Sequence, residues 1–141
     1  MKPACSGDLI KVLFVDDDAD DRMLFKSAMD EVHPDCALAT ASNGFEALRM
    51  LSTDADGLPD VIFMDINMPQ MNGRELLARI QESPDLRKVP VVVYSTSTSR
   101  SDQQQMEDLG AHSYLVKPVS YAQLCLDLKQ KLASLGIRSA E

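Results

Sequence analysis

Val61-Ile62-Phe63-Met64-Asp65 decides the fold: four apolar residues in unbroken succession, ended by a carboxylate. A strand with one face in water alternates apolar and polar residues, so a continuous run fits a strand covered on both faces, as in a parallel sheet flanked by helices. The same grammar recurs in Val12-Leu13-Phe14-Val15, followed by Asp16-Asp17-Asp18, and in Val91-Val92-Val93-Tyr94, followed by Ser95-Thr96. It is weaker in Tyr114-Leu115-Val116, followed by Lys117-Pro118. The less apolar Ala37-Leu38-Ala39-Thr40-Ala41 suits a strand at the sheet edge.

Helical patterns fill the intervals. Asp20 or Asp21 opens one that carries Met23, Leu24, Phe25 and Met29, and Asn43 precedes Gly44-Phe45-Glu46-Ala47-Leu48. Asn72-Gly73 leads into Leu76, Leu77 and Ile80, Ser101-Asp102 leads into Met106 and Leu109, and Ser120 caps Leu124, Leu128 and Leu132. Gly110 reads as the stop of the fourth helix. Five strand-helix units joined by right-handed crossovers give an α/β fold: a doubly wound, five-stranded parallel sheet, (βα)5, with strand order 2-1-3-4-5, flavodoxin-like. The expected domain is 9–135, between flexible tails at 1–8 and 136–141, with no output domain.

The 141 residues, 45% hydrophobic, suffice for one core and are too few for two domains. A net charge of -8 repels phosphate backbones and anionic lipids, which argues against nucleic acid and membrane surfaces as partners. No run approaches the ~18 apolar residues of a membrane span and the start lacks a signal-peptide core, so a cytoplasmic location is expected. Cys5, Cys36 and Cys125 are an odd, widely spaced set read as reduced thiols. His33 and His112 stand apart from any second ligand at metal spacing.

In sheets of this kind ligands bind outside the carboxyl ends of the strands where the order reverses, here between the first and third strands. Asp16, Asp17 and Asp65 would converge there and raise one another's pKa unless a cation sat among them. Carboxylate oxygens completed by water and phosphate oxygens suit Mg²⁺, or Mn²⁺, and direct or water-mediated contacts are assigned to these three residues. A carboxylate beside such an ion can attack phosphorus and form an aspartyl phosphate, and Asp65 is central. Ser95 offers a hydroxyl and Lys117 a point charge to the phosphoryl oxygens. Lys117-Pro118 is a candidate cis peptide.

Val15-Asp16-Asp17, Met64-Asp65-Ile66-Asn67-Met68-Pro69-Gln70-Met71-Asn72-Gly73, Ser95 and Tyr114-Leu115-Val116-Lys117-Pro118, in this order over nearly the whole chain, resemble the response-regulator receiver domains of the CheY-like superfamily. The resemblance implies a two-component, phosphorelay signalling phosphoprotein of the stand-alone kind. Asp65 would accept the phosphoryl group of a phosphohistidine on a sensor histidine kinase or histidine phosphotransfer protein. Asn67 would give its backbone carbonyl to the metal. Ser95 and Tyr114 look like the switch pair, whose movement re-forms the face of the fourth helix, fifth strand and fifth helix for a downstream protein target. Separate substrate turnover is not implied.

The acidic opening up to Asp21 and the long Ser83 to Pro90 connection look like regulators paired with bacterial phytochrome or hybrid kinases, and homodimerisation through the same face is an expectation of that likeness. In one respect the chain departs from the family. The position after Ser95 is usually small, and the β-branched Thr96 narrows phosphate access, which is expected to slow transfer or hydrolysis.

Asp18, Asp20 and Asp21 read more simply as helix-capping and dipole-pairing groups. Met68-Pro69 and Asn72-Gly73 are turn chemistry, with Gly73 supplying either a positive φ or a close backbone approach, and Pro69 and Pro118 stand beside the site as turn residues. A phosphohydrolase of the haloacid dehalogenase kind would need a second acid two residues after its nucleophile, where Asn67 stands. A flavodoxin-type flavin site would have to seat its phosphate against the Asp16 to Asp18 triplet, which repels it. Neither a GxxxxGK nor a GxGxxG loop follows a strand.

Overall fold

A computed structural model describes residues 10–53 and 57–137. The elements run β1 (Lys11–Val15), α1 (Ala19–Val32), β2 (Ala37–Ala41), α2 (Gly44–Thr53), β3 (Val61–Met64), α3 (Gly73–Glu82), β4 (Val91–Ser95), α4 (Arg100–Asp108), β5 (Ser113–Val116) and α5 (Tyr121–Ser134). A 3-10 turn, Leu86–Lys88, lies in the connection before β4. All neighbouring strands pair in parallel, in the order β2-β1-β3-β4-β5. The (βα)5 flavodoxin-like fold expected from the apolar runs is the one observed.

The pleat explains why those runs do not alternate. Val12 and Phe14 face a core shared with Phe25, Phe63, Leu124 and Leu128, whereas Leu13 and Val15 face one shared with Met64, Leu76, Leu77 and Ile80. Both sheet faces are thus buried, α1 and α5 covering the first and α2 and α3 the second, so β1 and β3 have no solvent side on which a polar residue would be favoured. In the first core Phe14 stacks on Phe25 at 4.0 Å between ring centroids, and Phe63 and Tyr94 meet Phe25 edge-on. β2 lies at the edge and is mostly exposed, as its composition indicated.

Three local expectations are corrected. The N-cap of α1 is Asp18, whose side chain accepts from the N–H groups of Asp20 and Asp21; neither of those residues opens the helix. Ser99, not Ser101 or Asp102, caps α4 by accepting from the Asp102 N–H. The peptide bonds of the described residues are trans, including Lys117-Pro118. α5 ends at Ser134, and the chain just after it packs back: the Ile137 N–H donates to Leu132 O at 2.8 Å, and the Ile137 side chain is buried in the first core. The expected tail residues 1–8 and 138–141, with Cys5, lie outside the described residues.

Other expectations hold. Asn72 caps α3 in a reciprocal box with Glu75, and Ser120 caps α5 through the Gln123 N–H. Gly110 ends α4 at φ 107, with the Ala111 N–H returning to Met106 O at 3.0 Å. Cys36 and Cys125 are free, half-buried thiols, and burial, with the charges of Asp30 and Asp60, pushes Cys36 up to about 11.

Candidate functional site

The carboxyl ends of β1, β3, β4 and β5 deliver the polar residues that follow them to one rim of the sheet. The Asp65 N–H donates to Val15 O at 3.0 Å, which ties the residue after β3 to the end of β1. The Lys117 N–H donates to Ser95 O at 2.8 Å and does the same for β5 and β4. Parallel register therefore brings Asp16, Asp65, Ser95 and Lys117 together although 101 positions separate the first from the last.

Asp16, Asp17 and Asp65 each offer an oxygen, all within 4.8 Å of one another. Asp16 is fully buried, Asp65 is 8% exposed, and Asp17 faces solvent. The Asp16 carboxylate accepts from the Asp18 N–H at 2.9 Å, while its backbone carbonyl accepts from the Arg22 guanidinium at 2.6 Å. Asp65 Oδ1 accepts from the Ile66 N–H at 2.7 Å, leaving Oδ2 toward Lys117. A donor set of three carboxylates, with no imidazole or thiolate, is that of a hard, octahedral cation such as Mg²⁺ or Mn²⁺ and a poor one for Zn²⁺. The residues fit the ion expected from the sequence.

Lys117 Nζ lies 2.8 Å from Asp16 Oδ2, 2.7 Å from Asp21 Oδ2 and 3.1 Å from Asp65 Oδ2. It also stands 5.5 Å from the centre of the Tyr94 ring. Burial raises the pKa of Asp16, against the pull of the Lys117 ammonium and the Asp18 N–H, and the net shift is upward. Burial works against the Lys117 charge too, but the hydrogen bonds to Asp16 and Asp21 and the charges of Asp16 and Asp65 outweigh it and hold its pKa above the usual lysine value.

Ser95 is 1% exposed and its hydroxyl oxygen accepts from the Ser97 N–H at 3.2 Å. The Tyr114 hydroxyl donates to Ser97 O at 2.9 Å, so the two sequence-predicted switch residues meet on Ser97 rather than on each other. Ser97 in turn donates to Asp102 at 2.7 Å, and Asp102 pairs with Arg74 of α3 at 3.0 Å. The β4–α4 connection is thus held from both sides.

Thr96 is exposed next to Ser95, and Asn67, Pro69 and Val119 are exposed on the same rim of loops, with Pro118 half-buried. The positive φ in the β3–α3 connection belongs to Gln70, at 67°, and not to Gly73. Gly73 instead serves close approach: a Cβ there would fall against Asp65 O and within 2.8 Å of Ile66 Cα.

Sequence reasoning missed Asp21, Arg22 and Tyr94 as members of the site. Nothing local separates Asp21 from its acidic neighbours, and Tyr94 ends a core strand like any aromatic. Only their contacts reveal them: Asp21 and the Tyr94 ring with Lys117, and Arg22 with Asp16 O.

Comparison with known proteins gives the same picture. A family model described as response regulator receiver domain matches residues 12–129. The chain is 32% identical over 110 residues to the response regulator Rcp1 of Synechocystis sp., covering 75% of each chain. It is similar to the phosphorylated cyanobacterial phytochrome response regulator RcpA, with a TM-score of 0.81 and 32% identity over 88% of this chain and 91% of that one. The Mn²⁺-bound form of Rcp1 superposes with a TM-score of 0.78 at 28% identity, over 94% and 97%. No helix among the described residues is long and apolar enough to cross a membrane.

Proposed function

The chain belongs to the response regulator receiver family, and from that membership we propose that Asp65 is the residue phosphorylated, with Asp16, Asp17, Asp65 and the backbone carbonyl of Asn67 holding Mg²⁺ or Mn²⁺. Receivers are the phosphoryl-accepting halves of two-component systems, and this one is a two-component receiver. The observation that carries the assignment is the convergence of three carboxylates and the Lys117 ammonium at the carboxyl ends of β1, β3 and β5.

The donor is the phosphohistidine of a sensor histidine kinase or a histidine phosphotransfer protein. The Asp65 carboxylate attacks phosphorus in line, the O–P bond forms as the N–P bond breaks, and the imidazole leaves with a proton. A bound divalent ion supplies neutralisation of the charge on the phosphoryl oxygens. Lys117 places its ammonium against one of those oxygens and Ser95 its hydroxyl against another. The chain catalyses its own phosphorylation and hydrolysis, turns over no separate substrate and works in the cytoplasm.

Ser95 moves toward the phosphoryl group away from the Ser97 N–H, and Tyr114 gives up its own bond to Ser97 O to turn inward. A local charge change thereby biases a two-state element, the face of α4, β5 and α5, which is the surface offered to a downstream protein or to a second copy of the chain.

Incubation with acetyl phosphate and Mg²⁺ is expected to add one phosphoryl group by intact mass, and none after chelation. Borohydride reduction should map the modification to Asp65 as homoserine. Label at another residue, or uptake indifferent to chelation, would overturn the assignment. In the same assay Thr96→Ala, which removes a β-branched side chain from the residue following Ser95, is expected to speed hydrolysis of the phosphorylated form a few-fold. An unchanged half-life would mean that Thr96 does not restrict access.

A further inference from the structure

The Lys117 ammonium has three N–H donors, and in this structure each meets a carboxylate: Asp16, Asp21 and Asp65. Two of these, Asp16 and Asp65, belong to the trio whose oxygens fit a divalent ion. Asp21 does not, and it makes the shortest of the three contacts, at 2.7 Å. It reaches the lysine from the first turn of α1, with its side chain 30% exposed, while Lys117 is 10% exposed.

We propose that Asp21 is a positioning residue that keeps Lys117 beside Asp65 when the carboxylate trio is occupied by a divalent cation. The inference rests on the phosphoryl-transfer reading of the site. A doubly charged ion among Asp16, Asp17 and Asp65 competes with the ammonium for two of its three partners and repels it directly. The third partner lies outside that competition. Asp21 therefore sets whether the lysine stays over Asp65 or swings into solvent, to which its long, flexible stem gives it easy access. An acidic residue that reads in the sequence as one more cap or dipole partner acts through the lysine instead, and the cap is made by Asp18.

The test follows the Lys117 ammonium by ¹⁵N-detected NMR of lysine side chains, with and without Mg²⁺, in the wild type, Asp21→Asn and Asp21→Glu. The wild type is expected to show a slowly exchanging Lys117 signal in both conditions. Asp21→Asn should show it only without Mg²⁺, and Asp21→Glu, which restores the charge, should regain it with Mg²⁺. At saturating Mg²⁺ the rate of phosphorylation by acetyl phosphate should fall about fivefold in Asp21→Asn, the size expected of one partly screened ion pair, and recover in Asp21→Glu.

Persistence of the signal in Mg²⁺-loaded Asp21→Asn, its loss in Mg²⁺-loaded wild type, or an unchanged rate would each overturn the role given to Asp21. The reading of the site as a phosphoryl acceptor fails differently, through absence of any phosphoryl uptake by the wild type.

Discussion

Asp65→Asn is expected to abolish phosphoryl uptake outright and, in metal-free buffer, to make the domain more stable by about 1 kcal/mol, because one of several crowded like charges is removed. The amide oxygen can still accept from the Ile66 N–H, and Lys117 keeps Asp16 and Asp21, so the change gives up only the longest of the ammonium contacts. Lys117→Met is expected to shift stability the other way. It leaves the fully buried Asp16 carboxylate without a counter-ion, beside Asp65, and should cost about 3 kcal/mol. Added Mg²⁺ should recover much of that loss by binding the folded form, and should stabilise Lys117→Met more than it stabilises the wild type.

Urea unfolding of the three proteins, in chelator and in Mg²⁺, measures all of this together. If Lys117→Met proved as stable as the wild type without metal, the ammonium would not be neutralising the trio. Loss of function on one side of the pair and of stability on the other is the mark of a site built for chemistry rather than for holding the fold.

The fold was legible because its strands carry an unusually direct signal. Val61 to Met64 and Val91 to Tyr94 are buried at every position, so neither polar alternation nor helical spacing competes with the reading. The site was legible for the same reason: each functional group is the first polar residue after such a run, which places Asp16, Asp65, Ser95 and Lys117 at one rim without knowledge of any contact. The edge strand β2 was the weakest signal, since its residues touch solvent and carry no such constraint.

The failures share a cause. In Asp16 to Asp21 five of six residues are the same type, and choosing the cap requires knowing which backbone is extended; Asp18 is, with ψ 116. The role of Asp21 depends on a contact with a residue 96 positions away, and that of Ser97 on a bond to Tyr114 across 17. Local propensity reports the element in which a side chain begins, not the group on another element that it reaches.

Gly73→Ala is expected to cost about 2 kcal/mol, the range for forcing an extra methyl into a packed interior, and to lower phosphorylation by more than the loss of folded protein explains. The added methyl meets backbone, namely Asp65 O and Ile66 Cα, and backbone held by the Gly73 N–H to Ile66 O bond at 2.7 Å cannot step aside as a side chain does. Relief must come from moving the peptide unit of Asp65, the proposed phosphoacceptor, which misaligns its carboxylate against Asp16 and Lys117.

Two other glycines calibrate the effect. At Gly44 the atoms nearest a Cβ belong to the buried Met71 side chain, at 2.8 to 2.9 Å; its Cγ and Sδ can re-pack but its Cβ moves only with the backbone, so Gly44→Ala should cost about 1 kcal/mol while leaving phosphorylation intact. At Gly110 the obstacle is the backbone at φ 107, together with the Gln81 side chain 2.8 Å from an added Cβ, and Gly110→Ala should cost about 1 kcal/mol while leaving phosphorylation intact, since neither residue is among those of the site. Unfolding midpoints and initial phosphorylation rates for the three variants separate the cases. Only Gly73 should fall in both, and a Gly73→Ala protein that loses stability but phosphorylates at the wild-type rate would show that the close approach serves packing alone.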